Sequence, residues 1–221
     1  MAKPSISELQ QSGRFHLVES FAVEEMQHFI LRELNLASPT EKKAKRLTGK
    51  QLIFFIGMGV IGGLVGVLLA KNKVSIPWGQ FPLALVALFL LMPVHEAIHA
   101  LVFKALNAPD VGFGYSIKSL MIYAYAQRFV LTLTENAVVA AMPFLVITAG
   151  LITAWLIWPA LGLLWGTTLL LHTLLCVGDY VLVQYAWKNR HRTIFTYDDL
   201  TEHQSYYYER SGGSAGSLEQ I

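Results

Sequence analysis

The chain has 221 residues, of which 54% are hydrophobic and only 14% charged, with a formal net charge of +2. Soluble domains of this size carry about a quarter charged residues, so the composition excludes an ordinary soluble enzyme and predicts a polytopic membrane protein; nothing in it points to a nucleic-acid partner. The single cysteine, Cys176, excludes an intramolecular disulfide framework and any multi-cysteine zinc site.

Met1 to Lys50 is polar and charged and lacks the short apolar core and small-residue cleavage site of a secretory signal. Within it, Ser5 to Asn35 reads as an amphipathic helical region carrying Leu17, Phe21, Met26, Ile30 and Leu34, able to lie on a membrane. Ser38 to Lys50 follows as a basic linker suited to anionic headgroups.

Four stretches are long enough to cross roughly 30 Å of hydrocarbon. They run over about Gln51 to Ala70, Phe81 to Leu106, Asn136 to Trp158 and Leu161 to Trp187. Only Pro159-Ala160 separates the last two, which predicts a tight antiparallel pair. Lys and Arg gather before the first span, between the second and third, and after the fourth. The positive-inside rule therefore puts both termini in the cytoplasm and runs the second and fourth spans in the same direction. The predicted fold class is an all-α polytopic membrane protein of about four transmembrane helices, with a short membrane-associated β-hairpin between the second and third. That hairpin is expected in Val111 to Thr134, where Phe113, Tyr115 and Ile117 alternate with small or polar residues. An exposed hairpin edge there can accept an extended peptide as an added strand; an interfacial loop with aromatic anchors is the alternative.

The second span contains His95-Glu96-Ala97-Ile98-His99. Residues four apart share a helix face, so the two imidazoles can grip one metal ion while Glu96 addresses a water beside it. Chance alone gives H-E-x-x-H in about one such chain in a hundred, and ionisable groups at membrane depth are costly filler. The pattern predicts a zinc hydrolase with its active site inside the bilayer. A third ligand is required, and Asp179 is the one carboxylate of the fourth span. His95 lies nine residues before Lys104 and Asp179 nine before Lys188. If both lysines mark the cytoplasmic interface, His95 and Asp179 each sit about 13 Å below it, which brings the two helices' candidate ligands to one level.

His172 shares a helix face with Asp179 but lies roughly 10 Å away along a straight axis. It reads as a hydrogen-bond donor to the substrate carbonyl or oxyanion, or as a contact between helices; a break near Gly178 is needed to make it a ligand. Glu135 is expected to be an interfacial or capping carboxylate, and Cys176 a small hydrophobe. Pro93 removes the hydrogen bond to Phe89 and predicts a kink. His16, His28, His191 and His203 lie in polar surroundings and are expected at the surface. A transporter or proton relay lined by the same residues, or a metal-binding membrane protein without proteolytic activity, is the competing possibility.

The stretches HEAIHALVFKAL, FGYSIKSLMIYAYAQRF, AAMPFL and HTLLCVGDYVLV resemble the site-2 protease clan of intramembrane metalloproteases, most closely its compact bacterial zincin peptidase family. The likeness covers about Phe81 to Trp187. It implies His95, His99 and Asp179 as zinc ligands, Glu96 as catalytic base, and a transmembrane or membrane-associated peptide as substrate. The better-known members carry Asn-Pro…Leu-Asp-Gly; here Val177-Gly178-Asp179-Tyr180 stands in place of Leu-Asp-Gly, the expected asparagine is absent, and His172 lies near its position. The chain then divides into a cytoplasmic N-terminal region (1–50), a transmembrane metalloprotease core (51–187) and a cytoplasmic tail (188–221) ending in a flexible linker.

Overall fold

The computed structural model describes residues 3–22, 25–34, 77–116 and 121–211. The expected first span, the basic linker and the terminal linker beyond Ser211 lie outside the described residues. The elements in chain order are α1 (Ile6–Gln11), β1 (Phe15–Ala22), α2 (Met26–Glu33), α3 (Gln80–Ala105), β2 (Val111–Ser116), β3 (Met121–Ala126), β4 (Leu131–Thr132), α4 (Leu133–Ile157), α5 (Gly162–Leu175), α6 (Val177–Lys188), β5 (Ile194–Asp199) and β6 (Gln204–Arg210).

The all-α expectation is overturned. Among the described residues about 59% are helical and 22% are in strands, and four strands form one antiparallel sheet in the order β1-β6-β5-β4. Its inner strands β5 and β6 hide from a hydropathy pattern because both of their faces are covered. Ile194 and Tyr207 face a core with Phe29, Leu133, Val181 and Tyr185, whereas Phe195, Tyr197 and Tyr208 face another with Leu9 and Val130. Strands buried on both sides lose the apolar-polar alternation that marks a half-exposed strand. In β1 a register shift between Leu17 and Glu19 inverts the side-chain parity, so Phe15 joins the second core and Phe21 the first. The segment expected as one amphipathic helical region is therefore helix, strand and helix.

The helices α3 and α4 are long and apolar enough to cross a membrane, at about 39 and 37 Å by helical rise. Their outward faces are bare hydrocarbon: Phe89 and Leu156 are 77% and 78% exposed, a surface that calls for lipid. The expected fourth span is instead two helices, α5 and α6, bent by 53°. The described residues thus hold two candidate spans, or three if the bent pair counts as one. The break falls at Cys176, two residues before Gly178. There the Cys176 N–H donates to His172 O (3.1 Å) and its carbonyl accepts from Tyr180 N–H (3.0 Å), so the bend leaves both flanking helices hydrogen-bonded.

Two contacts fix the bundle at its far end. The buried Gln80 side chain donates to Ala160 O (2.9 Å) and accepts from Leu164 N–H (3.0 Å), tying the start of α3 to the α4–α5 turn. Trp155 lies across Gly162 and Gly166, where a Cβ would come within 2.9 and 3.2 Å of its ring. At the opposite end Thr132 caps α4 in a capping box with Glu135, and Lys3 pairs with Glu135 at 2.9 Å, in keeping with the expected capping carboxylate. That end holds the sheet, because β4 runs straight into α4 and β5 follows shortly after α6.

Between α3 and β4, β2 and β3 form the expected antiparallel hairpin. Gly112 pairs with Tyr125 and Gly114 with Tyr123. Each tyrosine ring covers its glycine so closely that a Cβ there would come within 2.5 Å. The glycines of β2 are thus needed for the rings of β3.

Candidate metal centre

His95 and His99 lie one turn apart on α3, and the first turn of α6 brings Asp179 to them. Asp179 uses both oxygens: Oδ2 is 3.1 Å from His95 Nε2, and Oδ1 is 3.4 Å from His99 Nε2. The other nitrogen of each ring is also engaged. His99 Nδ1 donates to Val139 O on α4 (2.9 Å), and His95 Nδ1 meets His172 Nε2 on α5 at 3.3 Å. Both imidazoles therefore turn Nε2 toward the aspartate. Hydrogen bonds at the far nitrogen fix ring orientation and tautomer in this way around metal ligands.

The donor set fits zinc. A tetrahedral ion with bonds of about 2.0 to 2.2 Å holds its ligand atoms roughly 3.3 Å apart, close to the two separations found here. The side chains of His95, His99 and Asp179 are between 12% and 17% exposed, enclosed yet open on one side to a cavity of about 820 Å³.

Glu96 faces the same cavity from the adjacent position on α3. Its Oε2 accepts the backbone N–H of Ala124 in β3 at 2.7 Å. That N–H points away from β2, so the outer edge of β3 runs beside the candidate base. His172 does not reach Asp179. It is 4% exposed, stacks on Phe144, and spends its Nε2 on His95. Cys176 Sγ lies 3.6 Å from that same nitrogen.

The structure thus brings together the five residues that the sequence singled out. Others along the cavity wall were missed: Asn136 on α4, Tyr123 and Tyr125 on β3, and Asp198 and Ser205 on the four-stranded sheet. Asp198 accepts from Ser205 Oγ at 2.6 Å, and burial pushes its carboxyl above the ordinary range. Asp198 and Ser205 face each other across the β5–β6 hairpin, and only the packing of that hairpin against the bundle brings them to the cavity.

Two imidazoles, an aspartate and a neighbouring glutamate around one cavity make the donor set of a metal-dependent hydrolase. Residues 88–194 match the model of a family described as "Putative zincin peptidase", which supports a zinc metallopeptidase. The match takes in His95, Glu96, His99, His172 and Asp179, and leaves α1, β1, α2, β6 and all of β5 but Ile194 outside. No curated protein and no solved structure matches the chain.

Proposed function

We propose that this protein is a membrane-embedded zinc endopeptidase of the site-2 protease type, hydrolysing peptide bonds of membrane-embedded substrates near the cytoplasmic side. The observation that carries the proposal is the meeting of His95, His99 and Asp179 from two apolar helices, with Glu96 beside them on a shared cavity. His95, His99 and Asp179 would hold the ion. When bound, zinc supplies Lewis-acid polarisation of the scissile carbonyl and lowers the pKa of the attacking water.

Glu96 takes the proton of that water and returns it to the leaving amine. To act, its carboxylate must let go of the Ala124 N–H. An extended substrate laid along the outer edge of β3 does this directly, because its own carbonyl accepts from Ala124 and frees Glu96. His172 serves as a positioning residue, accepting the His95 Nδ1–H so that Nε2 stays directed at the ion. The exposed Phe113, Tyr115 and Ile122 give the hairpin an apolar surface fitted to a lipid-borne substrate. Lys104, Arg128, Lys188, Arg190 and Arg192 lie at or near the element ends on the sheet side of the bundle, and this positive charge supports a cytoplasmic placement of that end and of both termini.

The test is zinc content and turnover on purified wild type, Glu96→Gln and Asp179→Ala, with an unfolded membrane segment as substrate. Glu96→Gln keeps its zinc and loses activity by roughly 10² to 10⁴-fold, whereas Asp179→Ala loses the zinc itself. Wild-type turnover by Glu96→Gln would overturn the assignment, and function in fully chelated protein would favour a proton relay instead.

A further inference from the structure

Beyond the centre described above, we infer that His172, Cys176 and the Nδ1 nitrogen of His95 form a second site, for a thiophilic metal ion, that competes with the first for His95. His172 Nε2 lies 3.3 Å from His95 Nδ1 and 3.6 Å from Cys176 Sγ. One ligand atom from each of the three residues falls within 4.8 Å of the others. Around one tetrahedral ion, with bonds of about 2.0 Å to nitrogen and 2.3 Å to sulfur, two nitrogens stand roughly 3.3 Å apart and a nitrogen and a sulfur roughly 3.6 Å. Both separations match.

The fold prepares the site twice over. His172 and Cys176 are four residues apart at the end of α5, the spacing that also pairs His95 with His99 on α3. The bend at Cys176 then sets Asp179 against one nitrogen of His95 while His172 and Cys176 stay beside the other. Both residues are buried, at 4% and 5% exposure, yet both line the cavity that reaches His95, so an ion with access to the first site has access to the second. A thiolate joined to imidazoles selects soft and borderline ions such as Cd²⁺, Cu⁺ and Zn²⁺ over Ca²⁺ or Mg²⁺.

A neutral imidazole has one lone pair, so at neutral pH His95 serves one site at a time. Loading the second site breaks the Cys176 S–H bond and sends that proton to solvent. The His95 proton moves from Nδ1 to Nε2, where Asp179 Oδ2, 3.1 Å away, accepts the N–H. One proton is released per ion, and the first site loses both His95 and the free use of Asp179. Occupancy of the second site is therefore inhibitory.

The experiment is a cadmium titration of the zinc-loaded, full-length protein in detergent, following ultraviolet thiolate-to-cadmium charge transfer and the zinc released. Cys176 is the only cysteine, so any such band reports on this residue. The wild type should develop the band at one cadmium per chain and release one zinc, while Cys176→Ala shows no band and retains its zinc at the same loading. Asp179→Ala, which removes a first-site ligand and none of the three donors of the second site, should keep the band. No band in the wild type overturns the site, and a band lost in Asp179→Ala overturns its independence. A wild type that binds no zinc but still gives the band would sink the proposed peptidase centre and leave this site standing.

Discussion

Each ring nitrogen of His95 meets a different partner, Asp179 on one side and His172 on the other. This predicts a graded response at position 172. His172→Ala should weaken zinc binding by about 10 to 100-fold, while His172→Gln, which can still accept the Nδ1–H, should restore much of the loss. A merely structural role for His172 would show no such rescue in zinc affinity measured against a competing chelator. At the surface, Glu209 accepts from Arg192 Nε and Nη2 (2.8 and 2.6 Å). The guanidinium, opposed by partial burial and helped by His16, holds this carboxyl below its ordinary value. A depressed folded pKa stabilises the sheet above the unfolded value, about 4.3, and that stabilisation is lost as pH falls through the folded one. The pair is solvent-screened and contributes about 0.5 kcal/mol. Melting wild type beside Glu209→Gln should show a small gap at pH 6 that closes as the solution is acidified below pH 4.

At the scale of elements, α4 depends on its first turn. Thr132 Oγ1 accepts from Glu135 N–H (3.2 Å), and Glu135 Oε2 accepts from Thr132 N–H (2.9 Å). Thr132→Ala should cost about 1 kcal/mol of stability, read as a lower midpoint in thermal unfolding with the zinc content unchanged. The hairpin is more sensitive. A side chain at Gly114 would meet the ring of Tyr123 at 2.5 Å, and Tyr123 lines the cavity. Gly114→Val should therefore drive that ring off its seat and cut substrate turnover far more than zinc binding. Equal losses in both would argue that the hairpin merely supports the metal centre.

Considered whole, the molecule joins a bundle with an apolar outer surface to a sheet made from both ends of its described chain. Deleting residues 1–22 removes β1 and leaves β6 as a bare edge, with Tyr207 and Phe29 deprived of Phe21. Exposed strand edges recruit other chains, so the truncated protein should aggregate in detergent on size-exclusion chromatography. A monomeric, active truncation would show that the sheet is dispensable.

How much of this was legible follows from the range of each interaction. H-E-x-x-H was readable because helical periodicity alone puts residues four apart on one face. Asp179 was readable because a carboxylate inside a long apolar run is expensive enough to need a purpose. The hairpin showed itself through period-two aromatics between two spans. By contrast, β5 and β6 are buried on both faces and β1 finds its partner β6 only across most of the chain, so no alternating pattern announces them. The bend was half legible: Gly178 marked a place where a break was possible, and packing among α3, α4 and α6 decides that the chain turns two residues earlier, at Cys176. The sequence by itself determined the chemistry of the metal-binding groups and the apolar helices that carry them. The tertiary structure alone decided which nitrogen of His95 faces which partner and how the sheet closes the cavity, because those depend on contacts between residues that no spacing along the chain brings near.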